Sequence, residues 1–147
     1  MNKLLMTLLL LCTNLLGSSG MAQNMAAAND GLYKAFGEKA GIAQLMDDFV
    51  NRVIKDPRIG THFKEAKPPA LKDKLTEQVC QLTGGPCIYK GADMKTAHAD
   101  MDITKGDFNA LVENLQSAME ARGIPFAQQN RLLALLAPMH RDVITVH

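Results

Sequence analysis

Apolar residues recur at helical spacing along most of this chain, and this pattern restricts its fold more than any other feature. In residues 42–54 the apolar positions follow the i, i+3, i+4, i+7 rule, and charged residues fill the opposite face. Similar stripes follow Pro68 and precede Gly123, and a last one runs from Pro125 through Ile144. Strand signals are nearly absent. The sequence therefore predicts an all-α domain of about four substantial helices, antiparallel in pairs because their connections are short.

Prolines, glycines and capping residues mark the expected helix ends. Pro57 ends the first long helix, and Gly84-Gly85-Pro86 ends the second. Residues 94–104 contain about one or two turns of helix ending near His98. Thr104 or Asp107 is a suitable N-cap for the helix that follows.

The first two dozen residues differ in character from the rest. Lys3 precedes an apolar run at residues 4–16, and the small residues Gly20 and Ala22 come shortly after it. A charged start, a short apolar centre and a small-residue exit are typical of a secretory signal peptide. The run is too short for a membrane span. We therefore expect residues 1–22 to be removed on export to the periplasm or another secreted location.

Removal of the signal peptide leaves residues 23–29 as a disordered leader and residues 30–147 as one folded domain. The chain has a formal net charge of +1, and Lys3 leaves with the signal, so the mature protein is close to neutral. Without a basic excess, neither a nucleic acid nor an anionic membrane surface is an expected partner. We expect a monomer without a membrane span.

Cys80 and Cys87 remain in the mature chain. In an oxidising compartment they can form a disulfide that closes a short loop. They can equally remain as two thiols, one of them packed as a small apolar side chain. The sequence leaves both alternatives open.

The motifs of several enzyme classes are missing. The chain has no Gly-x-Ser-x-Gly, no phosphate loop, and neither Cys-x-x-Cys nor Cys-x-x-Cys-His. The four histidines, at positions 62, 98, 140 and 147, include no pair at i, i+3 or i+4, so a helical multi-histidine metal site is excluded. The sequence therefore indicates no hydrolase or zinc-ribbon chemistry.

His98 lies between two helical apolar segments without belonging to either. A capped or solvated residue is one interpretation of such a histidine. The other starts from composition: aromatic residues make up 5% of the chain, tryptophan is absent, and nine methionines fill space irregularly. A large flat apolar ligand anchored by one imidazole would fill such a core, which is how haem is bound.

The chain resembles the group 1 truncated haemoglobins in the spacing of three motifs, which are Gly84-Gly85-Pro86, Met94-x-x-x-His98 and Ile103-Thr104. The similarity covers about residues 30–145. Further matching positions are Leu32 to Gly37, Asp48-Phe49, Phe63, Tyr89, Gly91, Phe108, Ala137-Pro138 and Asp142-Val143. The resemblance implies a truncated globin fold, in which two helices pack over two others around haem b. It also implies that the protein reversibly binds O2, NO or CO.

The same resemblance assigns roles to individual residues. His98 corresponds to the proximal iron ligand, and Phe63 to a residue that packs on the porphyrin. Lys95 is close enough in sequence to His98 to meet a haem propionate. Candidates for the proximal wall are Met94, Ile103, Phe108 and Leu111.

The distal side departs from the family pattern. Many members carry tyrosine where this chain has Val50, and relatives often carry glutamine where it has Leu71 and Leu75. A hydrogen bond to bound oxygen is worth roughly 1–3 kcal/mol. The missing donors therefore predict an apolar distal pocket and faster oxygen release.

Three other side chains have open assignments. Lys74 occupies a position where some relatives present an internal sixth iron ligand, and it can bind iron only after losing its proton. Alternatively, Lys74 points outward. His140 resembles a position that certain relatives attach to a haem vinyl group, and His62 is expected to face solvent.

Other functions remain alternatives to reversible gas binding. A haem redox enzyme or electron-transfer module, such as a nitric oxide dioxygenase with a reductase partner, would use the same cofactor. Peroxidase activity is disfavoured because it needs a positioned proton carrier. A helical interaction domain without haem is the third alternative, and whether the protein is an enzyme stays open.

Overall fold

The computed structural model describes residues 31–146, and all regular secondary structure in this range is helical. The all-α class is therefore confirmed for these residues. The predicted signal peptide, residues 1–22, and the predicted leader, residues 23–29, lie outside the described range. None of the helices within residues 31–146 combines the length and the apolar character that crossing a bilayer requires.

Longer helices alternate with short helical pieces along the described chain. Residues 31–35 form a short helix, α1. The longer helices are α2 (Glu38–Lys55), α3 (Pro68–Leu82), α5 (Lys105–Ala121) and α6 (Phe126–Leu136). The connecting pieces are a 3-10 turn at Gly60–Phe63, α4 at Met94–Ala97, a second 3-10 turn at Ala137–Met139, and α7 at His140–Val143.

Helix ends follow the predicted signals. Helix α2 ends at Lys55, and Asp56, the residue before Pro57, has an extended conformation. Two prolines occupy the first turn of α3, where a missing N–H costs nothing. Thr104 caps α5 and Asp107 completes a capping box with it, so both residues proposed as caps contribute.

The last helix is not continuous, and the prediction of one helix from Pro125 through Ile144 was wrong. Helix α6 ends at Leu136, and a 3-10 turn around Pro138 leads into α7. Proline lacks an N–H, and its ring crowds the carbonyl group one turn earlier, so the regular helix breaks there. The break places Met139 and Val143 on the wall of a cavity.

Helix α2 lies at the centre of the packing. It contacts both α3 and α5, and α5 contacts α6, so two pairs of helices form the core. Burying an aliphatic or aromatic side chain stabilises the fold by roughly 1.5–3 kcal/mol. The side chains that α2 buries are Ile42, Leu45, Met46, Phe49, Val50 and Val53.

A disulfide bond joins Cys80, near the end of α3, to Cys87 in the following loop. Of the two alternatives for these cysteines, the bonded state is the one present. Gly85 lies inside the bridged loop, and a Cβ atom there would come within 2.7 Å of the Cys80 Sγ. Only glycine fits beside the bridge, which holds the loop leading to α4 against α3.

Candidate functional site

His98 ends the short helix α4, and a single carbonyl group fixes its orientation. The backbone N–H of His98 donates to the Met94 carbonyl oxygen at 3.1 Å, and Nδ1 of His98 lies 2.8 Å from the same oxygen. A carbonyl oxygen only accepts, so Nδ1 carries the proton. The neutral imidazole then keeps its lone pair on Nε2, which is the nitrogen free to bind a metal.

An aspartate cap starts the helix that carries this histidine. The Asp93 carboxylate accepts from the backbone N–H of Thr96 at 2.9 Å and from its hydroxyl at 2.8 Å. These hydrogen bonds lower the pKa of Asp93. A helix as short as α4 has few internal hydrogen bonds, so the cap supplies much of its local stability.

The chain after His98 turns sharply before α5 begins. Asp100 and Asp102 have positive φ angles of 60° and 52°, a conformation that aspartate tolerates better than most residues. Ile103 is then held by the C-terminal tail: its N–H donates to the Thr145 hydroxyl at 2.8 Å, and its carbonyl accepts from the Thr145 N–H at 2.9 Å. The tail therefore holds the segment between His98 and α5 in place.

His98 borders two adjoining cavities. The larger has a volume of about 290 Å³ and lies between α2, α3, α4, α5 and the α6–α7 segment. The smaller has a volume of about 60 Å³ and lies beside the Gly60–Phe63 turn. The side chains that border both are His98, Phe108, Leu111 and Val143. The larger volume approaches the lower end of the range for small-molecule sites, and its wall is mostly apolar, as in such sites.

Several residues predicted from the sequence do border these cavities. Leu75 and Met94 line the larger one, and Phe63 and Ile103 line the smaller one. Together with His98, Phe108 and Leu111, they come from four different parts of the chain. The fold thus brings most of the predicted site residues into one place.

Other predicted site residues lie elsewhere. Val50 is fully buried in the helix core, and Leu71 packs partly buried against that core. Lys95 is exposed. The Lys74 Nζ lies 3.0 Å from the Glu77 carboxylate, and its side chain is 47% exposed. Lys74 therefore has the outward orientation, and the pair lowers the pKa of Glu77.

Two further histidines, His62 and His140, lie near the site in different surroundings. His62 was expected to face solvent, but its side chain is only 21% exposed and borders the smaller cavity. Its Nε2 lies 3.6 Å from the Asp107 carboxylate. His140 borders neither cavity and packs edge-on against Phe108, with ring centroids 6.1 Å apart.

Two parts of the cavity wall were not predicted from the sequence: the surface formed by the end of the chain, and one polar side chain. Leu133, Leu136 and Met139 line the larger cavity. Gln78, on α3, lines it as well and is 8% exposed. The available signal was its spacing, because Gln78 follows Leu71 and Leu75 at i+7 and i+3 on one helix face.

The chemistry of the larger cavity suits a flat apolar group that carries its own metal ion. Its wall supplies one imidazole nitrogen with a free lone pair, and nearly all the rest is aliphatic, aromatic or thioether surface. No group of three or more His, Cys, Asp or Glu side chains that could hold a metal occurs among the described residues, so a metal held at this position would need further ligands from a bound molecule. The donor set is thus the one by which proteins hold haem through a single axial histidine.

Comparison with known proteins agrees with this geometry. The sequence model of the bacterial-like globin family matches residues 31–145. A group 1 truncated haemoglobin of Mycolicibacterium paratuberculosis is 28% identical over 114 residues, covering 78% of this chain and 84% of that protein. One from Tetrahymena pyriformis is 26% identical over 113 residues, covering 77% of this chain and 93% of that protein.

Solved structures show the same architecture. The Fe(III) form of the Tetrahymena pyriformis truncated haemoglobin superimposes with a TM-score of 0.74 at 26% identity, covering 77% of this chain and 97% of that one. The 2/2 haemoglobin of a Synechococcus species, solved with covalently attached haem, has a TM-score of 0.73 at 21% identity, with the same coverage, and supports the fold alone. The predicted truncated globin fold is confirmed.

Proposed function

The chain belongs to the bacterial-like globin family, and from this we propose that it binds haem b through His98 and reversibly binds a diatomic gas there. The observation that carries the proposal is the 2.8 Å contact between Nδ1 of His98 and the Met94 carbonyl oxygen. This contact leaves Nε2 as the ligand nitrogen, on a histidine that borders the largely apolar cavity. When bound, haem would supply an iron at which O2, NO or CO could bind.

The residues around His98 orient its ring, strengthen Nε2 as a ligand and surround the ring with apolar side chains. Donation from Nδ1–H to the Met94 carbonyl makes Nε2 a stronger ligand and fixes the plane of the ring. Phe108, Leu111 and Val143 border both cavities and surround the imidazole with apolar surface. Such surface keeps water away from a metal held by His98.

The apolar residues Val50, on α2, and Leu71 and Leu75, on α3, favour fast gas release. Leu75 borders the larger cavity but cannot donate a hydrogen bond, and neither Val50 nor Leu71 can supply a donor. Each donor missing at these three positions costs an O2 complex roughly 1–3 kcal/mol of stabilisation, whereas CO depends less on such bonds. We therefore propose reversible exchange of gas rather than tight oxygen storage.

Two features support export as part of this proposal. The N-terminal pattern of residues 1–22 is that of a signal peptide. Independently, the Cys80–Cys87 disulfide belongs to a class of bond that persists mainly in oxidising compartments. Expression from the full gene in a bacterium, followed by mass spectrometry of the periplasmic fraction, tests it. A mature mass lacking residues 1–22 is expected, and an uncut cytoplasmic chain would contradict it.

The decisive test of haem binding is a comparison of histidine variants. Purified protein is reconstituted with haem, and its ferric, ferrous and CO-bound absorption spectra are recorded. His98→Ala is expected to lose the Soret band after gel filtration. His140→Ala is the matched control and should keep it, because His140 borders neither cavity. A His98→Ala protein that retained haem and colour as well as the parent would refute the assignment.

A further inference from the structure

Gln78 is a buried polar side chain on an otherwise nearly apolar wall. It lies on α3, three residues after Leu75, and is 8% exposed. Gln78 and His98 border the same cavity from different helices. Gln78 therefore brings two N–H donors into a space where the aligned positions Val50, Leu71 and Leu75 bring none.

The acceptors that Gln78 finds in the structure are poor ones. Its Nε2 lies 3.6 Å from the Met94 Sδ and 3.8 Å from the Met139 Sδ. A thioether sulfur is a weak acceptor. Burying an amide costs free energy unless its donors find good acceptors, so these two contacts compensate only a part of that cost.

The other buried polar side chains of the described residues behave differently. Thr76 and Thr83 each donate to a backbone carbonyl at 2.7 Å, and Gln129 donates to the Ile124 carbonyl at 2.8 Å. Each of them meets an oxygen acceptor, as buried polar groups usually do. Gln78 is the exception, and it is the one among them that borders the cavity.

We propose that Gln78 is the hydrogen-bond donor to a diatomic gas in the cavity and a specificity-determining residue for it. This inference rests on the proposed function. A diatomic ligand whose outer atom carries partial negative charge accepts such a bond strongly, and one that stays nearly neutral accepts it weakly. Gln78 therefore raises the preference for O2 over CO and partly replaces the donors missing at Val50, Leu71 and Leu75.

The test uses Gln78→Met in the haem-reconstituted protein. Methionine is close to glutamine in length, and the substitution removes the amide donor together with the amide carbonyl oxygen. We expect the C–O stretching band of the CO-bound ferrous protein to move to higher wavenumber and O2 dissociation to accelerate roughly threefold to tenfold. The CO dissociation rate should change little. Gln78→Leu provides the same measurements if Gln78→Met folds poorly.

Glu77→Gln is the matched control. Glu77 precedes Gln78 but pairs with the exposed Lys74, on the outer side of α3. Its replacement should leave the C–O band and both rates at the parent values. If it shifted them as much as Gln78→Met, the effect would be general to α3 and the inference would fail.

Each remaining outcome decides the question. If Gln78→Met retains haem but shows the parent C–O band and O2 rate, the inference is wrong and the proposed function stands. If it loses haem faster with an unchanged C–O band, Gln78 contacts the haem edge instead, and the inference is again wrong. If the parent shows no Soret band, the proposed function fails and the inference fails with it.

Discussion

Nδ1 of His98 lies 2.8 Å from the carbonyl oxygen of Met94, so the first residue of α4 selects the imidazole nitrogen left for a ligand. The acceptor belongs to the backbone, and no side-chain substitution at position 94 removes it. The proximal geometry is therefore a property of the capped turn as much as of the histidine.

His98→Gly should lose haem but regain it when imidazole is added. The vacated space remains bordered by Phe108 and Leu111, and the Met94 carbonyl can accept the N–H of free imidazole. Absorption titration of the Soret band measures the recovery. 1-Methylimidazole lacks that N–H and should restore haem binding more weakly. Equal recovery with both bases would show that the carbonyl contact does not matter.

Leu75→Gln should slow O2 dissociation. Leu75 borders the larger cavity, and an amide there adds a donor worth roughly 1 kcal/mol, or about fivefold in rate. Stopped-flow measurements of the ferrous O2 form provide the rate. Leu75→Met is the control of similar volume and should resemble the parent. A Leu75→Gln rate equal to that of Leu75→Met would contradict the prediction.

A hydrogen-bond donor introduced at position 50, the hydroxyl of a tyrosine, is expected to act differently. Val50 is fully buried and borders neither cavity. Val50→Tyr therefore overpacks the core and should lower the free energy of unfolding by about 1–3 kcal/mol. Urea denaturation would show this loss.

Lys74→Ala should leave the ferric absorption spectrum unchanged. The Lys74 ammonium lies 3.0 Å from Glu77 and faces outward. An exposed i, i+3 ion pair contributes at most a few tenths of a kcal/mol, so stability should hardly change either. A change from a low-spin to a high-spin spectrum in the variant would show instead that Lys74 binds the iron.

Cys87→Ser should lower the free energy of unfolding by about 2 kcal/mol, the chain-entropy value for so short a loop. Thermal unfolding with and without reductant measures it. Reductant should lower the Tm of the parent towards that of the variant and leave the variant unchanged. A parent Tm insensitive to full reduction would contradict a stabilising role for the bridge.

Asp56 should make stability sensitive to acid. Its carboxylate accepts from the Arg58 guanidinium at 2.8 Å, from the Arg58 backbone N–H at 2.9 Å and from Asn114 at 2.7 Å, which hold the pKa of Asp56 well below its usual range. A depressed folded pKa stabilises the fold above the unfolded value of about 4, and this contribution is lost as the pH falls towards the folded pKa.

Thermal unfolding of Asp56→Asn tests this pH dependence. The variant should show a smaller drop in Tm between pH 6 and pH 3 than the parent, because the carboxylate that titrates has been removed. Asp73→Asn, at an exposed position on α3, is the control. An identical acid dependence in parent and Asp56→Asn would rule out this contribution.

Most of the fold could be predicted because helix formation depends on nearby residues. The apolar spacing of α2, the prolines that open α3 and the cap at Thr104 all act within a few positions. The prediction failed at Pro138, where an apolar pattern continued across a residue that breaks the helix. Periodicity alone cannot report such a break.

The site was less predictable because residues on one helix face can meet different partners. Leu71, Leu75 and Gln78 share a face of α3, and both leucines pack against the core, yet Leu75 and Gln78 border the larger cavity and Leu71 does not. The wall formed by Leu133 and Met139 depends on how the segment after α6 folds back. These contacts arise from packing between helices that are distant in sequence.

By itself, the amino-acid sequence determined where helices form, which histidine stands between them and which family pattern the chain follows, since these depend on local order and spacing. Only the tertiary structure decided that Nε2 is the free nitrogen, that Cys80 bonds Cys87 and that Gln78 borders the cavity beside two thioether sulfurs. Each of these depends on distances between atoms that only the packed chain brings together.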